Sequence, residues 1–161
     1  MLLCLVIHYI SPLLTLLLHD VMKYTAYDLT KQFEGCKLVA YLDSGGVPTI
    51  GYGHTKGVKM GDKITQEQAD QYLKEDMLQA ENAVNKLVKV SLSQNQFDAC
   101  VDFVFNLEEG NFSKSTLLKL INQGKFAEAA NEFPKWNLCA GKPLAGLTRR
   151  RLAEQSLFLK K

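Results

Sequence analysis

The chain divides by how its apolar positions repeat. Residues 1–20, MLLCLVIHYISPLLTLLLHD, are apolar with little interruption beyond His8, Ser11, Pro12 and Thr15. From Thr25 onward the pattern becomes periodic. TAYD, Thr25 to Asp28, has the spacing of a capping box and predicts a short helix closed by Gly35 at its C′ position. Residues 37–60 scatter short apolar and aromatic runs between Gly45, Gly46, Pro48, Gly51, Gly53 and Gly57. That density of turn formers predicts strands of a few residues in a small antiparallel sheet.

Helical periods follow. TQEQ, Thr65 to Gln68, predicts the cap of a long helix with Ala69, Tyr72, Leu73, Ala80, Val84, Leu87 and Val88 on one face. SQNQ, Ser93 to Gln96, predicts a second. There Phe97, Cys100, Val101, Val104 and Phe105 fall at i, i+3, i+4, i+7 and i+8, the pattern of the most buried helix. Further helices are expected over 115–123, 125–133 (stopped by Pro134) and 144–159, with Gly110, Gly124 and Gly141 as breaks. The sum is an α+β chain, a small N-terminal antiparallel β-lobe followed by a larger helical bundle. A cleft between the two is the natural place for a substrate.

Composition narrows the classes. With 161 residues, 47% hydrophobic and 22% charged, the chain fits one folded domain and not a disordered one. The net charge of +2 is too small to imply nucleic acid. Lys142, Arg149, Arg150, Arg151, Lys160 and Lys161 face a single acid, Glu154, near the C-terminus. Most of them are expected on a solvated helix face, although such a cluster also attracts anionic polymers. Cys4, Cys36, Cys100 and Cys139 show no C-x-x-C spacing, and with three histidines no metal and no cofactor are expected.

The first 21 residues form a segment apart. It is short for a spanning helix and contains Pro12. As a signal it lacks a basic residue before the apolar run and an A-x-A-like cleavage site. Three readings stay open: an export signal or membrane anchor, a non-native extension, and a helix packed on the domain. The domain is expected over residues 22–161, as a monomer, and any membrane contact through residues 2–18.

Candidate chemistry lies in FEGCKLVAYLDSGGVPTIGYGHT, residues 33–55. Asp and Gly weaken a hairpin unless a turn or a function needs them. Two carboxylates beside a cleft suit glycoside hydrolysis, one protonated for the leaving oxygen and one ionised. Glu34 ends a helix before an apolar run and is expected to be partly desolvated, which favours the protonated form. Asp43 stands beside Ser44 and two glycines, where amides and water keep it ionised. The Thr49 hydroxyl both donates and accepts, which suits holding a water. Each has a plainer reading: a helix-terminal surface acid, ordinary Asp-Ser-Gly-Gly turn chemistry, and a β-branched strand residue.

The segment E-G, with Tyr41 two before Asp43 and then T-I-G-x-G-H, resembles position for position the signature of phage-type lysozymes, or endolysins, of glycoside hydrolase family 24. FDACVDFVFN, GNFSKSTLLKLIN and KWNLCAGKPLAGLTRRRLAEQSLF extend the resemblance from Met22 to Phe158. It implies a lysozyme-like fold with the active-site cleft between lobe and bundle. It also implies a muramidase that cuts the β-1,4 bond between N-acetylmuramic acid and N-acetylglucosamine in bacterial peptidoglycan. Glu34 would be the general acid, with Asp43 and Thr49 holding water on the opposite sugar face, giving inversion. Host cytoplasm before lysis and periplasmic peptidoglycan afterwards are the implied locations.

Tyr41, Gly53, His54, Phe105, Asn106, Ser115 and Thr116 are the candidates for substrate binding. Phe105 is also core by its period, and His54 suits a structural role with Asp76 as its expected partner. Trp136 is expected in the core. One of Arg149, Arg150 and Arg151 is expected near Glu34, and a Cys4–Cys36 pair is conceivable if the N-terminus is anchored. Leu107 and Glu108 replace the small residue and glycine of relatives, so that turn is expected to differ. Two rivals remain: a lytic transglycosylase, which needs the acid but not the water-holding pair, and a non-catalytic wall-binding phage component.

Overall fold

The computed structural model describes residues 21–43 and 45–161. The apolar segment therefore lies outside the described residues except for Val21, and so does the proposed Cys4 partner of Cys36. Cys36 itself is an exposed free thiol.

Helix α1 spans Tyr27–Glu34 and ends at Gly35, whose φ of 67° suits a residue without Cβ. Its start departs from the expected capping box. Ala26 is the N-cap without a side-chain bond, while Thr25 gives its N–H (3.0 Å) and hydroxyl (2.5 Å) to Asp98. A buried acid on a distant helix outcompetes the local cap.

Strands β1 (Lys37–Leu42) and β2 (Pro48–Gly51) form the antiparallel lobe, with Tyr41 opposite Thr49 and Leu42 opposite Pro48. The segment at 62–64 flanks β1, where Ala40 N–H donates to the Asp62 carbonyl and Ile64 N–H to that of Leu38. Gly51, at φ 64°, lets the lobe approach the bundle: a Cβ there would meet the Cβ of Ala69 at 3.4 Å.

Both remaining capping boxes form as expected. They open α2 (Gln66–Leu87) at Thr65 and α3 (Gln94–Ser113) at Ser93. Helix α3 is the core of the bundle: Phe97, Ala99, Cys100, Val101, Phe103 and Val104 are buried, and Phe105 partly so. Phe103 meets Phe112, Phe133 and Trp136 edge-on, at 6.1, 5.4 and 5.6 Å between ring centroids. Gly110 does not break this helix. The kink falls at Glu108, with φ 69° and ψ 155°.

Helices α4 (Thr116–Asn122) and α5 (Phe126–Ala130) follow. The expected helix over 125–133 stops early, and Pro134 sits in a 3-10 turn, Phe133–Lys135. A short hairpin of β3 (Leu138–Cys139) and β4 (Lys142–Pro143), absent from the sequence reading, turns through Ala140 and Gly141, both at positive φ. Helix α6, Ala145–Leu159, packs along α3. Of the basic residues near the C-terminus, Lys142, Arg149, Lys160 and Lys161 are exposed, as expected of most of them, whereas Arg150 and Arg151 turn inward. Arg150 and Arg151 are 4% and 0% exposed. Acids on α1 and α3 and a fellow residue on α6 give them partners inside, which a charge count along the chain does not reveal.

Candidate active site

Two concavities are each lined in part by α3. The larger, ≈ 670 Å³, is lined by Gly53, His54 and Lys56 from the lobe side, Glu75, Asp76 and Gln79 from α2, and Val104, Phe105 and Glu108 from α3. The smaller, ≈ 370 Å³, is lined by Phe33 and Glu34 from α1, Asn106 from α3, and Leu144, Leu147 and Arg150 from α6 and its approach. Phe105 and Asn106 are neighbours, so consecutive residues of α3 serve the two hollows.

Glu34 closes α1, and its side chain is 24% exposed. It is partly withdrawn from solvent, and an ion pair forms one side of its surroundings. Arg150 Nη1 donates to Glu34 Oε1 at 2.5 Å, which settles which of the three arginines approaches. The other edge of the guanidinium holds Asp102, Nε to Oδ2 at 3.0 Å and Nη2 to Oδ1 at 3.2 Å. Thr30 donates to the same carboxylate at 2.7 Å. Burial resists ionising Asp102, but the guanidinium and these hydrogen bonds win and hold its carboxyl below the usual range. Burial likewise opposes the charge on Arg150, and Asp102 and Glu34 overcome it and raise its proton affinity. The anchor of Glu34 is thus firmly charged.

Asp43 follows β1. Its Oδ1 accepts the N–H groups of Gly45 and Val47, each at 2.8 Å. Oδ2 has no hydrogen-bond partner among the described residues. Thr49, 3% exposed on β2, donates its hydroxyl proton to the Val47 carbonyl at 2.9 Å. Its oxygen lone pairs are left to accept. The plain turn role of Asp43 is therefore real and occupies only half of its carboxylate.

Among the substrate candidates, Gly53, His54 and Phe105 line the larger hollow and Asn106 the smaller. Tyr41 stays on the hairpin, with the Lys37 ammonium 3.7 Å from its ring centre. His54 is anchored as expected: Nδ1 lies 2.9 Å from Asp76 Oδ2, Nε2 lies 3.0 Å from the Lys56 carbonyl, and the ring stacks on Tyr72 at 4.3 Å. Ser115 is buried as the cap of α4. It donates to the Phe112 carbonyl at 2.7 Å and accepts from Leu118 N–H at 3.0 Å, which leaves Thr116 as the exposed member of that pair. Sequence reasoning missed Asp102 and Glu154. The available signal was an acid inside an apolar helix face, as in FDACVDFVF.

An α+β bundle with a hairpin lobe and an arginine-held glutamate at the edge of a hollow has the build of a lysozyme-type glycoside hydrolase. Residues 31–154 match the family "Phage lysozyme". The chain is 47% identical over 134 residues to the endolysin of Acyrthosiphon pisum secondary endosymbiont phage 1, covering 81% of this chain and 92% of that one. It is 35% identical to the SAR-endolysin of Bacteriophage PS119, covering 78% and 76%. Among solved structures, the muramidase domain of SpmX from Asticaccaulis excentricus superposes with a TM-score of 0.81 at 39% identity, covering 86% of this chain and all of that domain. The chain belongs to the phage lysozyme family and is a glycoside hydrolase that acts on peptidoglycan.

Proposed function

We propose that the chain cleaves the β-1,4 bond between N-acetylmuramic acid and N-acetylglucosamine, with inversion, in phage-induced host lysis. Glu34 is the general acid, and Asp43 and Thr49 hold and activate the water. One observation carries this reading. Each carboxylate has one oxygen fixed by donors and one without a partner among the described residues, Glu34 by Arg150 and Asp43 by two backbone N–H groups. Glu34 Oε2 is then the oxygen that carries a proton to the leaving glycosidic oxygen. A water that donates its two hydrogens to Asp43 Oδ2 and Thr49 Oγ1 keeps a lone pair for the anomeric carbon. Asp43 takes the proton as the bond to oxygen forms.

Glu34→Gln is expected to abolish clearing of a peptidoglycan suspension while circular dichroism stays unchanged. Proton NMR of the first product should show the α-anomer, and a β-anomer would remove the water-holding role from Asp43 and Thr49. A 1,6-anhydro product in the mass spectrum would instead favour the transglycosylase reading. Clearing by the parent protein separates both from a wall-binding component. Residues 22–161 constitute the lysozyme domain in this reading, acting as a monomer. Export or anchoring is assigned to residues 1–21, in keeping with the name of the PS119 relative, and mass spectrometry of the mature N-terminus checks it.

A further inference from the structure

Glu154 lines neither hollow, yet both arms of the site lead back to it. It is fully buried on α6, with Oε1 2.7 Å from Arg151 Nη2 and 3.5 Å from Arg150 Nε. The two arginines reach different parts of the site. Arg150 donates to Glu34, and Arg151 Nη2 donates to Asn106 Oδ1 at 2.8 Å. Because a guanidinium only donates, Asn106 must turn its carbonyl inward. Its Nδ2 is then the end left for an acceptor oxygen on a sugar or an N-acetyl group.

Folding alone gives no reason for this arrangement. Arg151 Nε, Arg151 Nη1 and Glu154 Oε2 are buried and have no hydrogen-bond partner among the described residues. Apolar residues of similar volume commonly match or exceed the stability of such a buried pair. Burial also pushes the Glu154 carboxyl upward against the pull of Arg151. Stability is given up directly behind the acid.

We propose that Glu154 is a positioning residue for the hydrolysis described above, bracing Arg150 against Glu34 and Arg151 against Asn106. The inference rests on Glu34 being the acid. The charged and titratable groups around Glu154 are Arg150 and Arg151 on its own helix, Asp102 and the Cys100 thiol on α3, and Glu34 on α1 through Arg150. Without the Glu154 carboxylate, Arg150 and Arg151 lose the acceptor that lies between them, so the first is held less firmly against Glu34 and the second against Asn106.

The test uses Glu154→Gln, Arg151→Met and the double variant Arg151→Met/Glu154→Leu, assayed on peptidoglycan for kcat and KM separately. Glu154→Gln is expected to lower kcat severalfold. Arg151→Met is expected to raise KM severalfold with kcat little changed. The double variant is expected to melt no lower than the parent while kcat/KM falls about tenfold or more. A purely structural Glu154 would change the melting temperature alone, and unchanged kcat and KM across the series would overturn the proposal. If the double variant does not fold, the Glu154→Gln kcat decides by itself. The outcomes stay separable: an active Glu34→Gln sinks the acid assignment, whereas a dead Glu34→Gln beside an unchanged Glu154→Gln kcat sinks only this inference.

Discussion

Asp43 shows how one side chain serves a turn and a reaction without conflict. Its Oδ1 closes the loop onto Gly45 and Val47, and the second oxygen is left over. Asparagine can keep the accepting oxygen and cannot act as a base. Asp43→Asn is therefore expected to shift the melting temperature little and to lower kcat by roughly 100-fold or more, measured by reducing-end release. His54 is the contrasting case. Both ring nitrogens face oxygen acceptors, and the ring stacks on Tyr72, so the side chain ties the lobe to α2. Asp76→Asn replaces its carboxylate acceptor with an amide and should cost about 1–2 kcal/mol in a urea titration.

At the level of elements, the caps show which local signals survive folding. Thr65 and Ser93 satisfy their own helices because nothing stronger competes. Thr25 is drawn to Asp98 instead. Thr65→Ala should therefore lose about 1 kcal/mol as an ordinary cap deletion. The kink in α3 is costlier. Glu108 occupies a φ, ψ region that belongs to glycine, at a strain of about 1–3 kcal/mol. From the sequence, this turn is one expected to differ. Glu108→Gly should raise stability by about 1 kcal/mol in denaturant, once the flexibility of glycine in the unfolded chain is subtracted.

Across the whole molecule, a buried polar chain ties α1, α3 and α6 together through Thr30, Asp102 and Arg150, with the Tyr24 hydroxyl 2.7 Å from Thr30. It gives stability a definite pH dependence. Asp102 holds its proton less tightly folded than unfolded. Its contribution is complete above the ordinary value of 3.8 and is lost as pH falls through the lower folded value. Burial raises Tyr24, so its contribution is complete below the ordinary value of 10.0 and lost as pH climbs above it. The buried Cys100 thiol, also raised by desolvation, acts in the same sense from its ordinary value of 9.0. Melting temperature plotted against pH should fall at the alkaline end, and Tyr24→Phe should blunt that fall without removing it.

Fold class, the order of the main helices and the first hairpin, two of three capping boxes and the residues of that hairpin were legible in the sequence. Each rests on short-range physics: side-chain period, cap spacing, or the backbone freedom of glycine and proline. What the tertiary structure decided was partnership. No local rule connects Arg150 with Glu34, 116 residues earlier, or makes Asp98 a better partner for Thr25 than its own helix. None turns Arg150 and Arg151 inward while Arg149 beside them stays exposed, to meet the buried acids Asp102 on α3 and Glu154 on α6. Burial sets those choices, because a charge leaves water only where packing brings a counter-charge within reach, and packing depends on the whole chain at once.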